Sequence, residues 1–303
     1  MVASTSYSAI ALPDSAQVAA TLHLWLSRHL TASGAAWLAQ TLEQLSDEDS
    51  ERVLFTRFST APRQVGKADL RLSEVDLHTA AIARAGWTPN QWSLDQAART
   101  LLLLTFPSEP HDRYVAALEK LFAAADVAEQ IALYQSLPVL PHPDRWIARA
   151  IDGLRTNITA VFNAIALHNP YPADYFDEAA WNQMVLKALF VDSRLSQIQR
   201  LEDRANPKLA QMLSDYAHER WAAGRPVNPQ LWRPLGPFAE GWLVADLERA
   251  LSSRELSDRQ AAALACASAP SPDAQNLLDT VPDIKQAIAT GQLTWDSFSL
   301  THP

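Results

Sequence analysis

Helical periodicity runs through the chain and limits most strongly the folds it can adopt. Apolar residues recur at helical spacing in segments of roughly 10 to 20 residues, and no run alternates with period two for long enough to predict a sheet. Eight Gly and 19 Pro among 303 residues favour helices with frequent proline-marked starts and stops. We therefore predict an all-α stack of helices or a right-handed superhelix. A HEAT- or armadillo-like solenoid is one form of this fold, although no strict internal repeat is found.

Proline-containing breaks suggest how the helices are grouped. The strongest internal break is PVLPHP at residues 138–143. Around it we expect a flexible N-terminus at 1–14, an N-terminal helical layer at 15–137, and a central and C-terminal helical region at 144–269. A helical tail follows at 270–303. We expect all of these parts to belong to one continuous domain.

Two stretches carry local predictions of their own. Thr60–Leu70 is polar and contains Pro62 and Gly66, a combination that predicts irregular backbone. Between Asp144 and Leu167 an apolar stripe repeats without a strong break, and this pattern predicts a single long helix.

Charge and cysteine content exclude several functional classes. The net charge is −9 with a pI near 5.3, which argues against a general nucleic-acid binder because phosphate contacts need a basic face. The single Cys266 rules out an intramolecular disulfide and a cysteine-based zinc site. No GxSxG, GxxxxGK[ST] or GxGxxG motif occurs, so we predict no cofactor and no metal.

The ends and apolar runs indicate a soluble protein. The start MVASTSYSAIALPDS has neither the basic residues nor the apolar run of a signal peptide. The longest clear aliphatic run, at residues 101–104, is far too short to span a bilayer. We therefore expect a cytoplasmic location.

The candidate binding residues concentrate between His168 and Phe238, where polar and aromatic side chains are unusually dense. His168, Tyr171 and Tyr175 could form an aromatic wall beside a loop stiffened by two prolines, or a packed corner. Gln183 and Lys187 form the polar stripe of an otherwise apolar helix. They could line a cavity, or Lys187 could reach solvent while the nearby Asn182 bonds a neighbouring backbone group.

Arginine and tryptophan dominate the end of the same region. Arg220 points among apolar residues of its helix, so we expect it to be half-buried or buried and bonded to a carboxylate or to carbonyls. Arg225 and Trp232 belong to a Trp/Arg run that suits flat or anionic ligands, a protein interface or structural packing. The candidate carboxylate partners of Arg220 are Asp192, Asp203 and Asp215.

Three polar residues on one helix offer an alternative chemistry. Asp215, His218 and Glu219 lie on the polar face of an amphipathic helix. They could carry acid–base catalysis, or form an ordinary solvated face. We assign no catalytic residue on this pattern alone.

Several stretches resemble the EboA family. They cover most of the chain and are most specific between residues 168 and 225. The stretches are RFSTAPRQVGK (57–67), AGWTPNQWSLDQAAR (85–99), LRTN (154–157), HNPYPADYFDEAAWNQMVLKALF (168–190) and RLEDRANPKLAQMLSDYAHERWAAGR (200–225).

The resemblance implies a bacterial protein of the Ebo cluster, which traffics a secondary metabolite. In cyanobacteria that system is linked to export of the scytonemin precursor from cytoplasm to periplasm. It implies other Ebo-cluster proteins as partners, including a UbiA-like membrane protein, and it carries no catalytic residue to this chain.

Three functions follow as hypotheses. The first is a soluble carrier or adaptor that binds an aromatic or isoprenoid-like metabolite through the residues named above. The second is a metabolite-modifying enzyme that uses Asp215, His218 and Glu219. The third is a helical scaffold for pathway partners.

Overall fold

The computed structural model describes residues 14–46 and 50–301. The N-terminus predicted to be flexible, 1–14, lies outside the described residues except for Asp14. Within the described ranges the chain forms α-helices and short 3-10 helices and no strand, which confirms the all-α prediction. The chain divides into two compact units, Met1–Phe176 and Asp177–Pro303. The break at 138–143 lies inside the first unit.

The first unit is a bundle of mostly short helices. Its centre is the fifth helix, which packs against the first, second, third and seventh. Apolar residues on several sides of this central helix are buried, including Leu101 and Leu102. The helices are α1 (Ser15–Ser27), α2 (Ala32–Leu45), α3 (Glu51–Val65), α4 (Glu74–Ala83), α5 (Leu94–Thr105), α6 (His111–Ala124), α7 (Val127–Ser136), α8 (Ile147–Gly153), α9 (Thr159–Ala166) and α10 (Tyr171–Tyr175), with 3-10 helices at Leu137–Val139 and Pro143–Trp146.

Helix α3 shows where one local prediction fails. The irregular backbone expected at Thr60–Leu70 is wrong for its first half, because α3 continues through Pro62. Proline has no amide hydrogen to donate to the carbonyl four residues earlier. That carbonyl, on Phe58, accepts instead from Arg99 Nε at 3.0 Å. The helix then stops at Gly66, whose φ of 83° is accessible mainly to glycine.

The single helix predicted from Asp144 to Leu167 is also wrong. The stretch contains the end of a 3-10 helix, then α8, a turn and α9. The turn is closed by local bonds: the amide of Thr156 donates to the Gly153 carbonyl at 3.2 Å. The Thr156 hydroxyl then accepts from the amide of Ile158 at 3.1 Å. The apolar stripe continues across the turn, so periodicity alone does not reveal it.

The second unit is arranged around an alanine-rich helix, its fifth. That helix packs against the third, fourth, sixth, seventh and eighth helices of the unit, and residues 261–266 are all buried. The helices are α11 (Glu178–Phe190), α12 (Pro207–Ala222), α13 (Trp232–Leu235), α14 (Leu243–Leu251), α15 (Leu256–Ser268), α16 (Pro272–Asn276), α17 (Pro282–Ala289) and α18 (Trp295–Thr301), with 3-10 helices at Leu195–Gln197, Pro229–Leu231, Gly236–Phe238 and Leu277–Thr280.

Small side chains let the backbone approach α15 closely. A Cβ atom at Gly236 would lie 2.8 Å from both the Cα and the carbonyl oxygen of Ala265. Cys266, on the same helix, is buried. It packs there as a small apolar core residue. Among the described residues, none of the helices combines the length and apolar character that a membrane crossing needs.

Candidate functional site

A cleft of about 780 Å³ opens on the second unit. Its walls come from the end of α11 and the turn after it, from the middle of α12, and from the segment at residues 226–230. The cleft is of the size that holds small-molecule ligands. Its lining residues are Leu189, Phe190, Asp192, Ser193, Arg194, Leu195, Ser196, Tyr216, Arg220, Pro226, Val227, Asn228, Pro229, Gln230, Ser257 and Phe298.

Local backbone geometry positions these walls. After α11 the amide of Ser193 donates to the Ala188 carbonyl at 2.8 Å. Asp192 adopts the left-handed conformation with a φ of 58°, as is common for the residue that ends a helix. Across the cleft the side chain of Asn228 accepts from the amide of Gln230 at 3.0 Å and so starts the 3-10 helix Pro229–Leu231. Both walls are therefore fixed by backbone hydrogen bonds.

Two arginines give the cleft a positive charge. Arg220 is half-buried, and its Nε donates to the Pro226 carbonyl at 2.9 Å. Arg194, which also lines the cleft, is exposed. Within residues 14–46 and 50–301 neither guanidinium has an ion-pair partner. Asp192 supplies the one carboxylate of the lining, so the lining carries a net positive charge in a chain of net charge −9.

Aromatic and amide groups complete the lining. Phe190 is 78% exposed, Tyr216 is half-buried and Phe298 is buried. Gln230 is buried, and its Nε2 donates to Ser299 Oγ at 3.0 Å. Its buried Oε1 has no hydrogen-bond partner among the described residues. The cleft can thus hold a ligand that joins an anionic group to an apolar or aromatic body.

The residues predicted from the sequence fall in both units. In the first unit, Tyr171 is buried and its hydroxyl donates to the Pro143 carbonyl at 2.5 Å. Its ring lies 4.8 Å from that of Tyr175, and burial raises its pKa. The Nε2 atom of His168 lies 3.2 Å from Gln91 Nε2. These contacts hold Tyr171 against Tyr175 and place His168 beside Gln91.

In the second unit only Arg220 of the predicted binding residues lines the cleft. Gln183 is exposed and Lys187 half-buried on α11, and neither lines it. Arg225 is exposed and follows α12. Trp232 is buried, and its ring stacks 5.8 Å from that of Trp221.

The structure shows the hydrogen-bond partners of two polar side chains for which we stated expectations from the sequence, Arg220 and Asn182. Arg220 is half-buried, as predicted, and it bonds a carbonyl, one of the two kinds of partner expected. None of the described carboxylates pairs with it. The reason is that the chain turns back after α12 and presents the Pro226 carbonyl to the guanidinium. Asn182 exchanges side-chain hydrogen bonds with Asn206 at 3.1 and 2.8 Å. This buried polar group is therefore satisfied, but by a side chain and not by the backbone group that we expected.

The acid–base candidates are arranged differently from the sequence pattern. His218 Nε2 donates to Asp246 Oδ1 at 2.6 Å, and the Asp246 carboxylate is buried. Ser214 Oγ donates to the other oxygen of the same carboxylate. Asp215 and Glu219 are exposed. His218 therefore pairs with a residue of α14, and the described residues contain no cluster able to hold a metal ion.

Sequence reasoning missed several of the lining residues. Phe190 is the last residue of α11, Arg194 follows that helix without a periodic signal, and Gln230 lies in a short proline-led 3-10 helix. Asp246 is 28 residues from His218, so no local motif joins them. An unusually exposed Phe beside a left-handed turn is visible only in the structure.

A family model with the description metabolite traffic protein EboA matches residues 18–236. The chain belongs to the EboA family. Neither the curated proteins nor the solved structures give a match. The matched range contains most of the cleft lining, from Leu189 to Gln230, and leaves out Ser257 and Phe298. The family description gives the chain a general role in metabolite traffic.

Proposed function

We propose that the chain is a carrier that binds a small anionic metabolite in the cleft of its second unit. The observation that carries this proposal is the pair Arg194 and Arg220, two guanidiniums in the lining of one cleft without ion-pair partners among the described residues. A cation left without a carboxylate in a folded protein is available for an anionic ligand. The family's description as a metabolite traffic protein supports a transport role.

The cleft also limits the rest of the ligand. Phe190 and Tyr216 offer ring faces on which a flat or isoprenoid-like body can lie. Ser196, Asn228 and Ser257 add polar groups to the rim. We infer an amphipathic ligand with one anionic group, held by arginine at one end and by aromatic contact along its body.

The family resemblance is the basis for the proposed direction of transport and for the proposed cellular compartment. We propose that the protein works in the cytoplasm and hands its ligand toward the periplasm, with other Ebo-cluster proteins such as a UbiA-like membrane protein as partners. We propose the scytonemin precursor, which the resemblance implies, as one candidate ligand.

Native mass spectrometry of the protein purified from a host expressing its gene cluster tests the carrier function. We expect the wild-type chain to retain a small-molecule mass, and the double variant R194Q/R220Q to lose it. R254Q is the matched control, because Arg254 is exposed on the same unit and lies outside the cleft lining. If the double variant keeps the ligand as the wild type does, the cleft is not the site.

The wider set of sequence-predicted residues needs its own variants. K187A and R225A test whether the ligand extends beyond the cleft, and H168A tests the residues of the first unit. Ligand retention by all three with loss in R194Q/R220Q would confine binding to the cleft.

One observation favours a second candidate function, a metabolite-modifying enzyme. The buried Asp246 carboxylate orients the His218 imidazole, and the other ring nitrogen, Nδ1, has no hydrogen bond within the described residues. A histidine held in this way can accept a proton from a bound molecule. An H218Q chain that binds the metabolite but no longer converts it would support this function. Unchanged metabolite after incubation with the wild-type chain would remove it.

A further inference from the structure

A second concave surface lies on the same unit and differs in chemistry from the cleft. It has a volume of about 290 Å³, and its apolar walls are Pro207, Pro237, Phe238, Trp242, Leu243 and Pro270. We call it the Trp242 groove. Trp242 is 49% exposed, an unusual state for the largest apolar side chain.

The groove is stiff because its elements are fixed by their backbone. Pro207 begins α12 after the cap residue Asn206, whose side chain accepts from the amide of Leu209 at 2.8 Å. Pro237 lies in the 3-10 helix Gly236–Phe238. Each proline fixes its own φ. A partner that docks here therefore meets a largely formed surface and loses little free energy to ordering it.

The Trp242 ring is also supported from α12. Its centre lies 6.5 Å from the centre of the His218 ring, and His218 is bonded to the buried Asp246. The His218 ring therefore helps to hold the Trp242 indole in place, while about half of that side chain stays exposed to solvent. Tryptophan in such a position is the side chain most enriched among residues that dominate binding energy.

The charged side chain in the described lining of the groove is a carboxylate, and a second carboxylate is bonded to the lining. Glu240 lines the groove and is exposed. Gln211, also in the lining, donates to Asp215 Oδ1 at 2.8 Å, which places a second exposed carboxylate beside it. No Lys or Arg of the described residues belongs to the lining. A cation over the Trp242 face would gain both a ring contact and a carboxylate.

We infer that the Trp242 groove docks an extended basic segment of a partner protein. An apolar or proline side chain of the segment lies against Trp242 and Phe238, and flanking Lys or Arg side chains pair with Glu240 and Asp215. Charge complementarity selects this occupant. A second copy of a chain with net charge −9 would bring like charge to the groove, and an anionic small molecule would be repelled by it.

The docking surface and the proposed metabolite cleft use different residues of the unit. Trp242 and Glu240 do not line the cleft, and Arg194 and Arg220 do not line the groove. Loss of either function therefore leaves the other measurable. Two surfaces of opposite charge on one unit allow a carrier to bind its ligand and a partner protein at the same time.

Fluorescence anisotropy with an array of labelled nine-residue peptides tests the inference on the full chain. The array varies the positions of Lys and Arg around a central Pro-Leu pair, and each peptide has a counterpart with Glu in place of the basic residues. We expect basic members to bind, their Glu counterparts not to bind, and affinity to fall as salt screens the carboxylates. We expect W242A and E240K each to weaken binding at least about tenfold.

Two variants control for general loss of apolar surface or charge. L256A removes another exposed apolar side chain of the same unit, and E255K reverses another exposed carboxylate. Neither residue lines the groove, so we expect both variants to bind as the wild type does. The inference is overturned if no basic peptide binds, if Glu counterparts bind equally well, or if W242A and E240K leave binding unchanged. It is also overturned if sedimentation shows that Trp242 serves self-association of the chain.

Discussion

Replacing Arg99 by Met tests whether a side chain of α5 completes the hydrogen bonding of α3. Arg99 is 2% exposed. Its Nε donates to the Phe58 carbonyl at 3.0 Å, and its Nη1 donates to Asp95 Oδ2 at 2.9 Å. Its guanidinium carbon lies 5.2 Å from the centre of the Phe58 ring. Met fills much of the same volume but donates neither bond.

The expected cost is large because two buried acceptors lose their donor together. Asp95 keeps the bond from Ser93 Oγ at 2.6 Å but loses its cation, and the Phe58 carbonyl is left without a donor. Removing one member of a buried ion pair costs about 3–5 kcal/mol. Leaving the Phe58 carbonyl without a donor accounts for about 1–3 kcal/mol of this loss in the free energy of unfolding.

A second substitution isolates the part of the free-energy cost that comes from the unpaired Phe58 carbonyl. P62A restores the amide that α3 lacks, and that amide can donate to the Phe58 carbonyl once Arg99 is gone. We therefore expect R99M/P62A to be more stable than the sum of the single variants predicts, by about 1 kcal/mol. P89A in the R99M background is the control, because Pro89 lies outside α3. We expect no coupling there.

Hydrogen exchange of the amides in α3 and α5 is the assay, because it reports opening free energies locally and does not require the two units to unfold together. The reasoning is refuted if the Arg99–Pro62 cycle is additive within about 0.3 kcal/mol. An R99M chain that exchanges as slowly as the wild type would equally contradict it.

Three further predictions concern burial, packing and pH. Burial raises the pKa of Cys266 to about 12, so iodoacetamide at about pH 8 should leave it unmodified in the folded chain and label it in urea. G236A brings a Cβ to 2.8 Å from the Ala265 backbone and should destabilise the second unit by about 1–3 kcal/mol in urea unfolding. Burial of Asp76 tends to raise its pKa, but its hydrogen bonds, including the one from Arg28, lower the pKa below 3.8. Its stabilising contribution is therefore complete above pH 3.8 and is lost as pH falls through the folded value, so D76N should lose less stability than the wild type on acidification.

The sequence was sufficient for the fold class and for most helix positions, because helical periodicity and proline-led starts are local signals. It failed where a distant group changed the outcome. Pro62 predicts a break, yet α3 continues because Arg99, 41 residues from Phe58 in the sequence, donates to the freed Phe58 carbonyl. The turn at Thr156 was hidden by an apolar stripe that continues past it. The arrangement in layers at 15–137 and 144–269 stays a prediction.

The candidate site was harder to predict because turns set the direction of several of its side chains, and turns carry no periodic signal. Arg220 was found from its direction on α12, since a charged residue on an apolar face indicates a special environment. Arg194 lies after a left-handed turn at Asp192, and no periodic pattern gives its direction. His218 was recognised, but its partner Asp246 belongs to another helix. Pairings between helices need coordinates.

In the second unit, the residues that stabilise the fold differ from the residues that line the proposed binding cleft. Residues 261–266 leave no space for a larger side chain where Gly236 meets α15, so that contact is set by backbone against backbone. The cleft residues Arg194 and Phe190 are exposed, where substitutions usually change the free energy of unfolding by little. Residues of the proposed binding cleft can therefore be substituted without repacking the scaffold that supports them.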